Sequence, residues 1–293
     1  MHCIKLTLAY DGSPFHGWQI QPGKPTVQGT LVEVAERLTQ HRVQIFGAGR
    51  TDAGVHALGQ VAHFRTHSEL RPAEFQRAFN ALLPPAIRVI SAEEVGPDFH
   101  ARWQALAKTY QYRIYRGRVL SPFDARYVLH DPYPLDVAAM SRAARLFEGT
   151  HDFASFAAST GNDQGDRERS TVREIYSSQF FVRSGNPLCN NFTGAIGAVS
   201  CEALTTPRAD ASGLSASSAD GTHELIYSVR GKSFMRFMVR KIVGTLLDVG
   251  RGRLAVTDIP QLFELRDRSK SGPTIAPQGL YLVSVEYPDP LKW

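Results

Sequence analysis

Apolar and polar positions alternate from Cys3 to Tyr10: Ile4, Leu6, Leu8 and Tyr10 stand against Lys5, Thr7 and Ala9, the period of a half-buried strand. A loop rich in turn formers and aromatics follows, from Tyr10 to Gln19. The period then lengthens. Val27, Leu31, Val34 and Leu38 recur at helical spacing to about residue 40, and Thr26 is placed to cap that helix. Arg42–Phe46 reads as a short strand and Gln60–Thr66 as another. Pro72–Leu83 predicts a second helix, with Pro72 in its first turn and Phe75, Phe79 and Leu82 facing inward. Pro84 and Pro85 end it, and Ile87–Val95 is again a strand. The order strand, helix, strand, strand, helix, strand is that of a ferredoxin-like or RRM-like α+β unit.

Beyond residue 105 a long strand sets Tyr110, Tyr112 and Ile114 on one face, with Thr109, Gln111, Arg113 and Tyr115 on the other. Asp136 caps a helix carrying Val137, Met140, Ala144 and Phe147, closed by Gly149. His223–Lys232 is a strand, and an amphipathic helix from Ser233 lays Met235, Val239, Ile242 and Leu246 on one stripe. Arg240 borders that stripe, as a snorkelling side chain does, or as one fixed beside a buried carboxylate. A final helix starts near Thr257, and the turn Ala276–Gly279 leads into a closing strand, Leu280–Tyr287. Between these elements, residues 161–169 are polar and charged and read as mobile. Residues 184–222 break the composition: Gly, Ser, Ala, Asn and Thr dominate, which predicts a flexible surface insertion.

Composition narrows the class. At 293 residues and 43% apolar content the chain can bury a sizeable core in two subdomains. Its net charge, 33 − 28 = +5, is a mild basic excess that suits a nucleic-acid partner. Three widely spaced cysteines (Cys3, Cys189, Cys201) argue against a disulfide framework or a zinc site. Lys5 and the alternation around it break any leader-like apolar core, and no run of 18 apolar residues exists, so a cytoplasmic protein off the membrane is expected.

The candidate chemistry lies in Phe46–Phe64, where Gly47, Gly49, Gly54 and Gly59 punctuate a run containing Arg50-Thr51-Asp52. Such spacing suggests a tight loop that something large approaches. In an extended loop Arg50 and Asp52 would point the same way, and the guanidinium would hold the carboxylate ionised. On residue types alone the run reads first as a surface turn with an Asx cap and a local ion pair. Gly47-x-Gly49 lacks the third glycine and the helix of a dinucleotide fingerprint. Neither His56 nor His63 has a partner at metal-like spacing, so no metal is expected; each reads as a hydrogen-bonding residue, with His56 in reach of a phosphate.

Arg50-Thr-Asp-Ala-Gly-Val-His-Ala57, followed by Gly59-Gln-Val-Ala-His-Phe64, resembles the catalytic loop of the TruA family of tRNA pseudouridine synthases. The likeness extends to the opening strand and loop, the Tyr110 strand, His151–Phe156, Thr171–Ile175, Phe237-Met-Val-Arg-Lys-Ile-Val-Gly244 and the closing strand; residues 184–222 depart from it. It implies isomerisation of uridine to pseudouridine at positions 38, 39 and 40 in the anticodon stem-loop of tRNAs. It also implies two ferredoxin/RRM-like subdomains sharing a central antiparallel sheet, residues 1–105 with the catalytic Asp loop and 106–293, and an active-site cleft between them. A homodimer acting without a cofactor is expected. The catalytic residues implied are Asp52, Tyr110 and Arg240, with Tyr110 and Arg50 binding substrate. A carboxylate at Asp52 can act as nucleophile on sugar or base, or as base on the ribose. Tyr110 would stack on the uracil and help remove the C5 proton, Arg240 would pair with Asp52, and Arg50 would contact the RNA backbone or wedge into the space left by the extruded base.

Two rival classes differ in what they require. A non-catalytic RNA-binding relative would need Arg50, Tyr110 and the basic surface but not Asp52. A carboxylate hydrolase would want a second acid, for which Asp11 is the nearest candidate, though its Gly-Ser-Pro setting reads as a turn.

Overall fold

The computed structural model describes residues 1–157, 170–184, 202–203 and 223–288. Mixed α+β architecture dominated by antiparallel pairing is observed, as the alternation of periods predicts. The chain divides into two compact units, Met1–Tyr110 with Tyr281–Trp293 and Gln111–Leu280.

In the first unit, β1 (His2–Tyr10), β3 (His56–Thr66) and β4 (Ile87–Val95) pair antiparallel in the order β4-β1-β3. The two-residue β2 (Phe46–Gly47) adds to β3, and β11 (Leu280–Glu286) lies parallel to it through Tyr281 and Leu282. Helices α1 (Val27–Thr39) and α2 (Pro72–Leu82) form where the apolar spacing and caps agree; Thr26 Oγ1 accepts from the Gly29 amide at 3.2 Å. Phe75 and Phe79 of α2 pack against Phe64 of β3, all three fully buried, each removing about 1.5–3 kcal/mol of apolar surface from water.

Two boundaries differ from the local pattern. β3 begins at His56 rather than Gln60, because Tyr10 pairs with Ala57 and Tyr281 with His56; long-range partners override the glycine-rich loop composition. Arg42–Ile45 is not in the ladder. Side chains reach its backbone instead: Gln28 donates to the Ile45 carbonyl at 2.8 Å, and Glu36 accepts from the Val43 amide.

In the second unit, the end of β5 (Ala107–Tyr115), β10 (His223–Gly231), β8 (Val172–Ser184) and β7 (Gly149–Asp152) run in that order. Short strands β6 (Leu129–His130) and β9 (Glu202–Ala203) pair with β5 and β8. Helix α3 (Val137–Arg145) is capped by Asp136, which accepts from the Ala139 amide at 2.8 Å. Phe147, Phe153, Phe156 and Phe263 of α5 (Ile259–Leu265) form an aromatic core. Helix α4 (Met238–Gly250) begins five residues later than Ser233. Phe237 adopts the left-handed conformation, φ 64°, which stops a helix from extending through it, so Met235 lies outside α4. Among the described residues no helix is long and apolar enough to cross a membrane. Residues 161–169 and all of 184–222 except 184 and 202–203 lie outside the described residues, as do Cys189 and Cys201; Cys3 is a buried free thiol.

Candidate active site around the Asp52 loop

Residues 48–55 link β2 to β3, and nearly every turn of this loop is tied down. The Ala48 amide donates to the Val61 carbonyl at 2.7 Å, and Gln60, fully buried, donates through Nε2 to the Gly49 carbonyl at 2.9 Å. The Thr51 carbonyl accepts from Trp18 N at 3.0 Å, and its hydroxyl meets the buried Tyr10 hydroxyl at 2.8 Å. Asp52 accepts through its carbonyl from Val55 N at 3.1 Å. Its side chain is half-buried at the turn.

The loop carrying Gly12 and Gly17 packs directly on this one. A Cβ on Gly12 would stand 2.0 Å from the Val55 carbonyl oxygen, and one on Gly17 2.6 Å from that of Thr51; Gly17 also has φ +90°. Backbone against backbone at these distances admits only glycine. Asp11 belongs to this turn, accepting from Ser13 N at 2.9 Å and lying 3.3 Å from His56 Nδ1. Burial would raise its pKa, but the His56 and Ser13 contacts outweigh that and hold it well below the usual carboxylate range. An acid held ionised is not the proton donor a hydrolase requires.

Tyr110 ends the first-unit part of β5, 7% exposed. Burial, with the nearby Tyr10 and the Asp52 charge, raises its phenol pKa, so it remains a neutral hydroxyl under the carboxylate's field. Lys108 is the residue that pattern reading missed. It lies two residues before Tyr110, hence on the same side of the strand. It is 8% exposed, and its Nζ lies 3.6 Å from where a Gly49 Cβ would stand. Burial, helped by Arg102, lowers its ammonium pKa to about 8. The site thus joins a carboxylate, a neutral phenol and a cation of weakened hydration.

The expected Arg50–Asp52 pair is not formed. Arg50 is exposed, and no hydrogen bond or ion pair of its side chain is found among the described residues. His56 is also corrected: it is buried, stacked on Tyr281 with centroids 4.8 Å apart, and its Nδ1 is turned to the Asp11–Gly12 turn, so it does not face a phosphate. His63 is buried too, accepting from Ala101 N at 3.2 Å. No group of metal-ligating side chains assembles among the described residues.

Arg240 belongs to the second unit, in the first turn of α4. Its Nε donates to the Ile275 carbonyl at 2.6 Å, and its guanidinium lies over the Phe237 ring, 5.0 Å from the centroid. The 272–276 segment is drawn against the helix around it. Gly244 has no room for a Cβ, which would stand 1.9 Å from the Pro273 oxygen, while Tyr112 donates to the Ala276 carbonyl at 2.7 Å. Lys241 donates to the carbonyls of Arg268 and Gly272. Arg240 is therefore a fixed side chain rather than a snorkelling one.

Comparison with known proteins gives one family. Residues 7–104 and 143–288 match the model described as tRNA pseudouridine synthase, a span containing Arg50, Asp52 and Arg240 but not Tyr110. The chain is 44% identical over 288 residues to "tRNA pseudouridine synthase A" of Solibacter usitatus (strain Ellin6076), covering 98% of this chain and 100% of that protein. It is 41% identical to the protein of the same name from Geobacillus sp. (strain WCH70), covering 97% and 98%. With that of Caldicellulosiruptor saccharolyticus the identity is 38%, over 98% and 100%.

Proposed function

This chain belongs to the tRNA pseudouridine synthase family, and we propose that it isomerises uridine to pseudouridine at positions 38, 39 and 40 in the anticodon stem-loop of tRNAs. The observation that carries the reading is the Asp52 loop itself. Its backbone is fixed by hydrogen bonds at Ala48, Gly49, Thr51 and Asp52, so one carboxylate is held in place beside a neutral phenol. Preorganisation of this kind is what a reacting carboxylate requires.

Asp52 is the catalytic carboxylate. The reaction breaks the N-glycosidic bond, turns the uracil and rejoins it through C5, which then loses its proton. Tyr110 acts through its ring, stacking on the uracil, and through a hydroxyl that stays protonated at neutral pH. Arg240 supplies the counter-charge to the carboxylate, an assignment resting on its motif position and on its fixed side chain. Arg50, exposed and uncommitted, contacts the RNA backbone or takes the place of the extruded base. Lys108 adds positive charge beside the loop.

Each unit is inferred to be ferredoxin-like; in the first, the order β4-β1-β3-β2 with antiparallel pairing throughout is that of a split βαβ unit. The Asp loop belongs to the N-terminal subdomain and Arg240 to the C-terminal one. A cytoplasmic homodimer follows from the family likeness. The test is pseudouridine formation by the purified protein on unmodified tRNA carrying uridines at 38 to 40, mapped by carbodiimide treatment and primer extension. Product is expected at those positions and none with Asp52→Ala, which should still bind tRNA. Binding without product in the unsubstituted protein would sink the catalytic assignment.

A further inference from the structure

Trp103 is the most exposed tryptophan among the described residues, at 72%, and it is not loosely held. It sits in a turn fastened at several points. His100 Nδ1 accepts from both the Arg102 and Trp103 amides, at 3.1 and 3.3 Å, and the Gln104 amide donates to the His100 carbonyl. The Ala101 amide is tied to His63 and its carbonyl to the Tyr287 hydroxyl at 2.6 Å. Aromatic rings then run from this turn to the start of the Asp52 loop: Trp103 to His100 at 5.5 Å between centroids, and His100 to Phe46 at 5.5 Å. The Arg102 guanidinium lies 4.9 Å from the indole centroid.

Singly exposed apolar residues are ordinary. An indole on a fastened turn, beside a guanidinium and linked through rings to the strand before the Asp52 loop, is a different matter. That combination suits a base, which stacks on the ring, with its phosphate beside the cation. We propose that Trp103, with Arg102 beside it, is the stacking platform for an unpaired nucleobase of the RNA substrate close to the target nucleotide. The inference rests on the tRNA reading above; the anticodon loop supplies unpaired nucleotides next to the modified positions. Trp103 is a specificity-determining residue in this scheme, since it touches neither Asp52 nor the reacting atoms.

The experiment compares unsubstituted protein, Trp103→Ala and Trp103→Phe on one unmodified tRNA transcript. The same transcript carrying single abasic anticodon-loop nucleotides is run in parallel. Expected for Trp103→Ala is a rise in Kd and KM of about 5- to 150-fold, with kcat at saturating tRNA unchanged and most affinity restored in Trp103→Phe. One abasic position should weaken the unsubstituted protein and leave Trp103→Ala unaffected. Unchanged Kd in Trp103→Ala, while the unsubstituted protein makes product, overturns the platform and spares the reaction. So does conversion to monomers in sedimentation with no abasic position coupled to Trp103, which makes a second copy the occupant. Tight, Trp103-dependent binding without product overturns the reaction and keeps the platform. An altered melting temperature in Trp103→Ala transfers the test to Trp103→Phe and its abasic coupling, whose absence is equally fatal.

Discussion

The Tyr10–Thr51 hydroxyl pair is a buried side-chain contact that fixes the residue immediately before Asp52. Its length is 2.8 Å, and both residues are buried, so water cannot replace either partner. Tyr10→Phe keeps the ring volume and leaves no cavity. It removes one bond and strands the Thr51 hydroxyl, which costs about 1–3 kcal/mol. Thr51→Val, nearly isosteric, leaves the Tyr10 hydroxyl with Gln60 alone and costs less. The double variant has no stranded Thr51 hydroxyl, so it should lose about 1 kcal/mol less than the two single losses together. Burial pushes the Tyr10 pKa to about 12, against the opposing hydrogen bonds of Thr51 and Gln60. The pair is therefore protonated, and the coupling constant, across ordinary assay pH.

Urea unfolding of the four proteins measures the stability cycle. Release of tritium from tRNA labelled at uridine C5 measures the functional one. Because Thr51 adjoins Asp52, Tyr10→Phe should lower kcat by about 10- to 100-fold with little change in KM, the signature of a misplaced reacting group. Additive stability losses, or full kcat in a destabilised Tyr10→Phe, would refute the claim that this bond sets the carboxylate's place.

Gly12→Ala forces a Cβ to within 2.0 Å of the Val55 oxygen, so the two loops must separate by about 1 Å or more. A stability loss of about 1–3 kcal/mol or more by thermal unfolding, with activity falling further than stability explains, is expected; an unchanged melting curve would show that the loops are not in register. His63 provides a pH test. Burial, then His100 and Arg65, lowers its pKa from 6.5 to about 4, so between those values the unfolded chain binds more protons than the folded one. Stability from this residue is complete above about pH 6.5 and lost as pH falls to 4, about 3 kcal/mol in all. The slope of unfolding free energy against pH in that window should be shallower in His63→Phe, and parallel slopes would contradict the buried neutral ring.

Much of the fold was legible wherever neighbours in sequence decide the outcome. Thr26 caps α1, Pro72 opens α2 and Asp136 caps α3, because spacing, cap and breaker agree within a few residues. The departures lie where partners are distant. β3 starts four residues early because Tyr10 and Tyr281 reach it, and Arg240 is anchored by a carbonyl 35 residues further on. The site shows the same division. Asp52 stands out through a motif of consecutive residues, yet the pairing with Arg50 inferred from their spacing fails, since a turn does not obey the alternation of a strand. Lys108 was within reach of that very rule, two residues from Tyr110 on a true strand, but its charge argued for water. Its amine packs instead near a loop some 60 residues earlier, 3.6 Å from where a Gly49 Cβ would stand, a neighbour that no local pattern reveals. Glycine carries two kinds of information here: a turn that can be read locally, and a close approach, as of Gly12 to Val55 or Gly244 to Pro273, whose other half lies elsewhere in the chain.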